Sequence, residues 1–183
     1  NEIGDTDLLV FSDFNYGCLP QSLVGDITNI TKNHKLFVAA DSQSSSQIGD
    51  ISRFKNMDLL TPTEREARIS TRNHEDGLVV LAEKLRQDSS ARNILLKLGQ
   101  EGLLVYTREG KDDMSTDRIT NLNSAVKDEA GAGDSLLITS AMAMACGADI
   151  WEAACLGSLA AALQVGRVGN TPLSIEEFLQ VLN

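Results

Sequence analysis

Short apolar runs alternate along this chain with stretches in which apolar residues return every three or four positions. Asp7–Ser12, Lys35–Ala40, Met57–Leu60 and Asn93–Leu98 are short and nearly continuous in apolar character, and they predict buried strands. Between them, 20–33, 63–70 and 74–88 read as helices. Strand–helix–strand alternation of this kind predicts an α/β fold with a mostly parallel sheet covered by helices on both faces. The character then shifts. Gly102–Thr107 and Ser115–Asn121 read as further strands joined by the turn Arg108–Asp113. Helices over Gly133–Cys146, Ile150–Val165 and Ser174–Leu182 close the chain, the last opened by the capping-box pattern Ser174-Ile-Glu-Glu177. No internal repeat or linker interrupts this order, so residues 1–183 read as one α/β unit.

Composition narrows the partners. Acidic residues outnumber Lys and Arg by 26 to 16, giving a net charge of −10 with no basic stretch. Nucleic acid and acidic membranes are therefore not expected partners, since both want a basic face. Cys18, Cys146 and Cys155 are odd in number and lack C-x-x-C spacing, which argues against a disulfide framework or a zinc site. Cys146 and Cys155 lie in alanine-rich apolar runs and are expected as small core residues. No run approaches the roughly 18 apolar residues of a membrane span, and the first residues do not resemble a signal peptide. A reduced, cytoplasmic protein is the expectation. His34 and His74 are expected at the surface, and Trp151 in the core at the start of its helix.

The most informative local feature is Asp128-Glu-Ala-Gly-Ala-Gly-Asp134, which opens directly into the apolar run 135–146. A glycine-rich turn at a helix start leaves backbone N–H groups unpaired at the positive end of the helix dipole. Such donors suit a phosphate or a developing oxyanion, and glycine lets the ligand come close to the backbone. Asp134 is then a carboxylate beside an anion site, a position suited to handling a proton. A plain helix cap is the alternative. Asp13 and Asp41 each follow a predicted strand, where ligands of open parallel sheets gather. Asp13 is the substrate-side candidate, and a loop or helix cap is the alternative for both.

Four segments, in this order, resemble the ribokinase-like (PfkB-type) carbohydrate kinase family. Leu60-Thr-Pro-Thr-Glu-Arg-Glu66 is similar to the T-P-N-x-x-E stretch that helps organise magnesium. Lys97-Leu-Gly-Gln-Glu-Gly102 is similar to the T-x-G-x-x-G turn near the nucleotide. Asp128-x-x-Gly-Ala-Gly-Asp134 looks like the family's second signature. Gly157–Gly169 resembles the helix and glycine turn flanking the adenine. Within the family, Phe11-Ser-Asp-Phe-Asn-Tyr-Gly17 and the Val165–Gly169 tail look most like the heptose-phosphate kinases.

That resemblance implies a kinase using ATP and Mg2+, with a monovalent cation as a further candidate cofactor and a small sugar or sugar phosphate as acceptor. It implies Asp134 as general base, the Gly131, Ala132 and Gly133 amides as anion hole, and Glu66 acting through water on magnesium. Helix-dipole stabilisation is the other reading of Glu64 and Glu66. Lys97, Gly99, Gly102, Asp128 and Ser158 fall on the nucleotide side, Asp128 fixing the turn or lying near the monovalent cation. A strand–strand turn would use the two glycines equally well. The resemblance also implies a longer N-terminal half with most sugar contacts and a β lid. The chain reads as the nucleotide-side portion of such a kinase, inactive in isolation, and the full-length protein as a possible homodimer.

Several positions depart from the family pattern. Thr63 stands where asparagine is expected, and Lys97 where threonine or serine is. Tyr16 and Gln43 are uncharged where heptose kinases tend to carry lysine, and Glu129-Ala130 adds a negative charge beside the anion turn. Two readings therefore stand: an ATP-dependent sugar kinase, or a silent domain of the same ancestry with a nucleotide-binding or structural role. A dinucleotide-binding fold fits less well, because the glycine motif comes late and no acidic residue closes a following strand.

Overall fold

The computed structural model describes residues 5–44, 47–110 and 113–182. In chain order the elements are β1 (Leu8–Asp13), α1 (Gln21–Thr31), β2 (Phe37–Ser42), β3 (Leu59–Leu60), α2 (Glu64–Thr71), α3 (Leu78–Ser89), β4 (Asn93–Lys97), β5 (Leu103–Glu109), β6 (Asp113–Ile119), α4 (Ala132–Ala145), α5 (Ile150–Val165) and α6 (Ile175–Leu182). Among the described residues the strands form one sheet in the order of the chain. β1 to β4 pair in parallel, and β5 and β6 are antiparallel additions. The switch has a simple cause: only Leu98–Gly102 link β4 to β5, too few residues for a parallel crossover.

Successive side chains of a strand face opposite ways, and the sheet uses both faces. Val38 and Ala40 of β2, Leu60 of β3, and Ile94 and Leu96 of β4 pack with Val24 of α1, Ala67 of α2, and Leu81 and Leu85 of α3. On the other face Ala39, Leu59, Leu95, Leu103 and Val105 meet Leu136, Leu137 and Ala141 of α4 and Ile150 and Ala154 of α5. Leu59, Leu60, Leu95 and Leu96 are fully buried, each contributing roughly 2 kcal/mol of apolar transfer. The mostly parallel, doubly covered sheet is thus the architecture that the apolar runs predict.

Two features fix the helices that carry the site. Gly157 lies where α5 crosses α4: a β-carbon there would sit 2.1 Å from Ser140 Oγ and 3.0 Å from the Leu136 carbonyl. Ser140 Oγ donates to the Ala153 carbonyl at 3.0 Å, tying the two helices across their contact. On the opposite face, Glu83 of α3 accepts from Tyr106 Oη, Arg86 and Arg108. Chiefly the Arg86 hydrogen bond, with help from Tyr106 and Gln87, holds its carboxyl down to about 2.

The differences from expectation have local causes. α3 begins at Leu78, four residues later than expected, because Asn73 and Asp76 form a turn held by the Arg68 guanidinium. β3 shrinks to Leu59–Leu60, with the Asp58 carboxylate accepting from the Val38 amide at 2.9 Å. Cys146 and Cys155 are exposed, which corrects their placement in the core. Cys146 caps the C-terminus of α4, and Cys155 lies on the outer side of an alanine-rich helix whose apolar residues run around its whole circumference. His34 and His74 are exposed as expected. Lys111 and Asp112 of the expected turn, and residues 1–4, lie outside the described residues. Among the described residues no helix is long and apolar enough to cross a membrane.

Candidate active site

A cleft of about 710 Å³ opens above the C-terminal ends of the parallel strands, against the start of α4. Open parallel sheets collect ligands at this end, where loops and helix N-termini converge. One part of its lining is charged, with Glu66, Lys97, Glu129 and Asp134; another is apolar, with Leu122, Val126, Ala161 and Val165. A wall of that kind beside a charged floor suits a ligand with a flat apolar end and an anionic end, and the volume is that of a small-molecule site.

The turn before α4 forms as its glycines dictate. Gly131 is the N-cap with φ 78°, a left-handed conformation that glycine adopts without strain, and no side chain caps the helix. The Gly131 carbonyl accepts from Ser135 at 2.9 Å, starting the helix. The Ala132 amide donates back to Glu129 at 3.3 Å. The Ala132 amide, expected among the open donors, is therefore engaged: the chain folds tightly over Glu129–Ala132 and takes up that donor. The amides of Gly131, Gly133 and Asp134 donate to no acceptor among the described residues, and all three residues line the cleft. Asp134 is partly exposed there, and its carboxylate makes no hydrogen bond or ion pair with another described residue.

Three further polar groups meet beneath this turn. Asp41, the fifth residue of β2, is 1% exposed, and its Oδ2 accepts from Lys97 Nζ at 3.0 Å. Burial pushes the Asp41 carboxyl up against the pull of the Lys97 ammonium, and the Glu66 and Asp134 carboxylates push it further. Lys97 ends β4, anchored by its amide to the Pro62 carbonyl at 2.8 Å. Its ammonium reaches the turn: a β-carbon on Gly133 would sit 3.3 Å from Nζ.

Glu66 is buried and bonded twice. Oε2 accepts from the Thr63 amide at 2.7 Å, and Oε1 from the Ser44 amide at 3.0 Å. Thr63 Oγ1 in turn accepts from the Glu66 amide, completing a capping box. The threonine at the expected asparagine position thus starts α2, and Glu66 joins that helix to the loop after β2 while lining the cleft. Among the described residues, no three His, Cys, Asp or Glu side chains are grouped to hold a metal ion directly.

The remaining candidates divide. Ser158 lines the cleft, and its buried Oγ has no partner among the described residues. Gly99 and Gly102 also line it, for different reasons. Gly99 at φ 60° has open space around it, whereas a β-carbon on Gly102 would sit 2.0 Å from the Ile119 carbonyl. Asp128 fixes the turn: its oxygens accept from Ala130 at 3.0 Å and Gly169 at 2.9 Å, and these backbone hydrogen bonds hold its carboxyl below the usual range. Asp13 is not brought to the cleft. It is 5% exposed and pairs with Arg53 at 2.6 Å, whose guanidinium lies over Phe54. Gln164, which nothing in its sequence context marks, is 1% exposed and donates to Ala130 and Gly169, bridging the two glycine turns.

Comparison with known proteins bears on the family and the fold. The chain is 30% identical over 178 residues to the bifunctional protein HldE of Campylobacter concisus, covering 96% of this chain and 36% of that protein. It is 26% identical over 184 residues to the bifunctional protein HldE of Helicobacter hepaticus, covering 99% and 36%. The chain thus spans about a third of the length of these relatives. Among solved structures, the Thermotoga maritima ribokinase superposes with a TM-score of 0.78 at 23% identity, covering all of this chain and 58% of that one. The Arabidopsis thaliana ribokinase complexed with ribose and ATP superposes with a TM-score of 0.78 at 20% identity, covering 98% and 57%. The fold is therefore ribokinase-like, and with residues 1–177 matched by the model of that family, the chain belongs to the pfkB family of carbohydrate kinases.

Proposed function

We propose that this chain is the nucleotide side of an ATP-dependent kinase that phosphorylates a hydroxyl of a sugar or sugar phosphate. The observation that carries the reading is the start of α4, where unpaired amides and the unpartnered Asp134 carboxylate share one open cleft. In the transfer, the acceptor hydroxyl oxygen forms a bond to the terminal phosphorus of ATP, and the bond from that phosphorus to the bridging oxygen of ADP breaks. The hydroxyl proton passes to Asp134. The Gly131, Gly133 and Asp134 amides face negative oxygen as charge develops on the transferred group.

The nucleotide fits the residues present. Ser158 offers a buried hydroxyl without a partner, Leu122 and Val126 an apolar wall, and Gly99 and Gly102 a close backbone. Asp128 shapes the turn from outside the cleft. Mg2+, when bound with ATP, would neutralise phosphate charge, and Glu66, which lines the cleft, is the residue that would hold it through water. The sugar side of the site is proposed to come from outside this chain, which spans little more than a third of its curated relatives.

Two features favour the silent-domain reading: Glu129 lines the cleft beside the anion turn, and Gln43 lines it without a charge. Incubating the protein that contains this chain with γ-labelled ATP and a set of sugars and sugar phosphates separates the two. Label recovered in a sugar ester is the expected result. Saturable ATP binding with no label in any acceptor would establish the silent domain instead.

A further inference from the structure

We propose that Lys97 is the cationic anchor for the terminal phosphate of the nucleotide, and that Asp41 is the positioning residue that holds its ammonium beside Gly133 and away from Asp134. The proposal deepens the kinase reading and rests on it for the identity of the ligand.

Lys97 is the partly buried cation of the cleft, with 15% of its side chain exposed. The other cation in the lining, Arg65, is exposed on the outer side of α2. An ammonium carries three donors. One goes to Asp41 Oδ2 at 3.0 Å, and no other acceptor among the described residues takes the remaining two. The group lies next to Gly133, whose amide is itself unpaired. A cation and a free backbone donor therefore stand side by side, facing the same open space.

The pair also has no sufficient structural reason. Burying a carboxylate and an ammonium costs desolvation that their attraction repays only with well-satisfied geometry. Here Asp41 Oδ1 is buried without a partner. A purely structural pair would be weak, whereas a phosphate taking the two remaining Lys97 donors would complete the ammonium's bonding. The choice of partner matters as well. Glu66 and Asp134 both lie close enough to act on Asp41, yet of the three carboxylates Lys97 bonds to Asp41. Asp134 is thereby left to accept a proton rather than being neutralised by the lysine. Tyr16 and Gln43 carry no charge where lysines are usual in the resembling kinases, and Lys97, reaching in from the end of β4, supplies a cation from a different strand.

The test is titration of inorganic tripolyphosphate, and separately of adenosine, into the protein and two variants. Lys97→Arg keeps the charge. Asp41→Asn combined with Lys97→Met removes both charges together, so no buried carboxylate is left unpaired and the fold is spared. The double variant is expected to bind tripolyphosphate at least about tenfold more weakly, with adenosine affinity and melting temperature unchanged, while Lys97→Arg stays within a few fold of the original. A merely structural role would weaken adenosine and tripolyphosphate binding alike. The proposal is overturned if tripolyphosphate binds the double variant as tightly as the original protein, if it binds neither, or if both ligands weaken together. Label transfer to sugar with Lys97-independent polyphosphate binding would sink this proposal alone. Lys97-dependent binding without transfer would leave the anchor standing and remove the kinase.

Discussion

Replacing Asp134 by asparagine is expected to slow phosphoryl transfer by about 10²–10⁴-fold in the protein that contains this chain, while the affinity for MgATP changes by no more than a few fold. Asparagine has the same shape and can still orient an acceptor hydroxyl, but it cannot take the proton at neutral pH. The separation of the two effects follows from the geometry. The Asp134 carboxylate makes no hydrogen bond or ion pair with another described residue, so its loss removes no structural bond. The Asp134 amide, which belongs to the anion turn, is untouched by the substitution. Removing a negative charge beside a phosphate site should if anything tighten nucleotide binding. Steady-state kinetics with varied ATP decide the matter. A variant with the original turnover would strip Asp134 of its role as base, and one that lost ATP binding with turnover would make it a binding residue.

The second large effect concerns the fold beneath the site. Gly102→Ala is expected to lower the unfolding free energy by about 3 kcal/mol. Gly102 has φ 92° and ψ −128°, a backbone region that essentially excludes residues with a β-carbon. The added carbon would lie 2.0 Å from the Ile119 carbonyl and 2.9 Å from the Asn121 amide nitrogen, both backbone atoms of the neighbouring strand end. Neither can swing aside as a side chain would, so β5 and β6 must separate where they border the cleft. Urea unfolding should show the midpoint falling by roughly 1–2 M. Gly99→Ala is the matched control. At φ 60° with nothing nearby, it should cost only about 1–2 kcal/mol. Equal midpoints for the two variants would contradict this distinction.

Much of the fold was legible because its strands are short apolar runs bounded by polar loops, and all six appear within a few residues of the positions those runs mark. The capping box at Ser174 and Glu177 forms as its spacing indicates. What failed was burial within α4 and α5. Their alanine-rich sequences are apolar around the whole circumference, so periodicity could not tell Ala154, fully buried, from the exposed Cys155 next to it. Exposed Met142 on α4 shows the same loss of contrast.

The glycine turn at the start of α4 was legible because local geometry alone creates it. Its hydrogen-bond pattern was not: that the Ala132 amide returns to Glu129 depends on the tightness of the turn. Pairings between distant strands were less accessible still. Lys97 and Asp41 are 56 residues apart and meet because β2 and β4 flank the two-residue β3. Asp13, at the end of β1, looked equally available to a ligand, yet Arg53 arrives from a neighbouring turn and pairs with it. Asp13 is the last residue of β1 and Asp41 the last but one of β2, and only the partner's position separates the acid that pairs with cleft-lining Lys97 from the one that pairs away from the cleft.

Calorimetric titration of MgATP into the protein and into its Gly133→Val variant probes the anion turn most directly. Valine would project into the space beside the Lys97 ammonium, 3.3 Å from its first side-chain carbon, and crowd the three unpaired amides of the turn. Saturable binding by the original protein, weakened at least about tenfold in the variant, is the expected result. Equal affinity in both, or no binding to either, would mean that the start of α4 does not receive the nucleotide's phosphates.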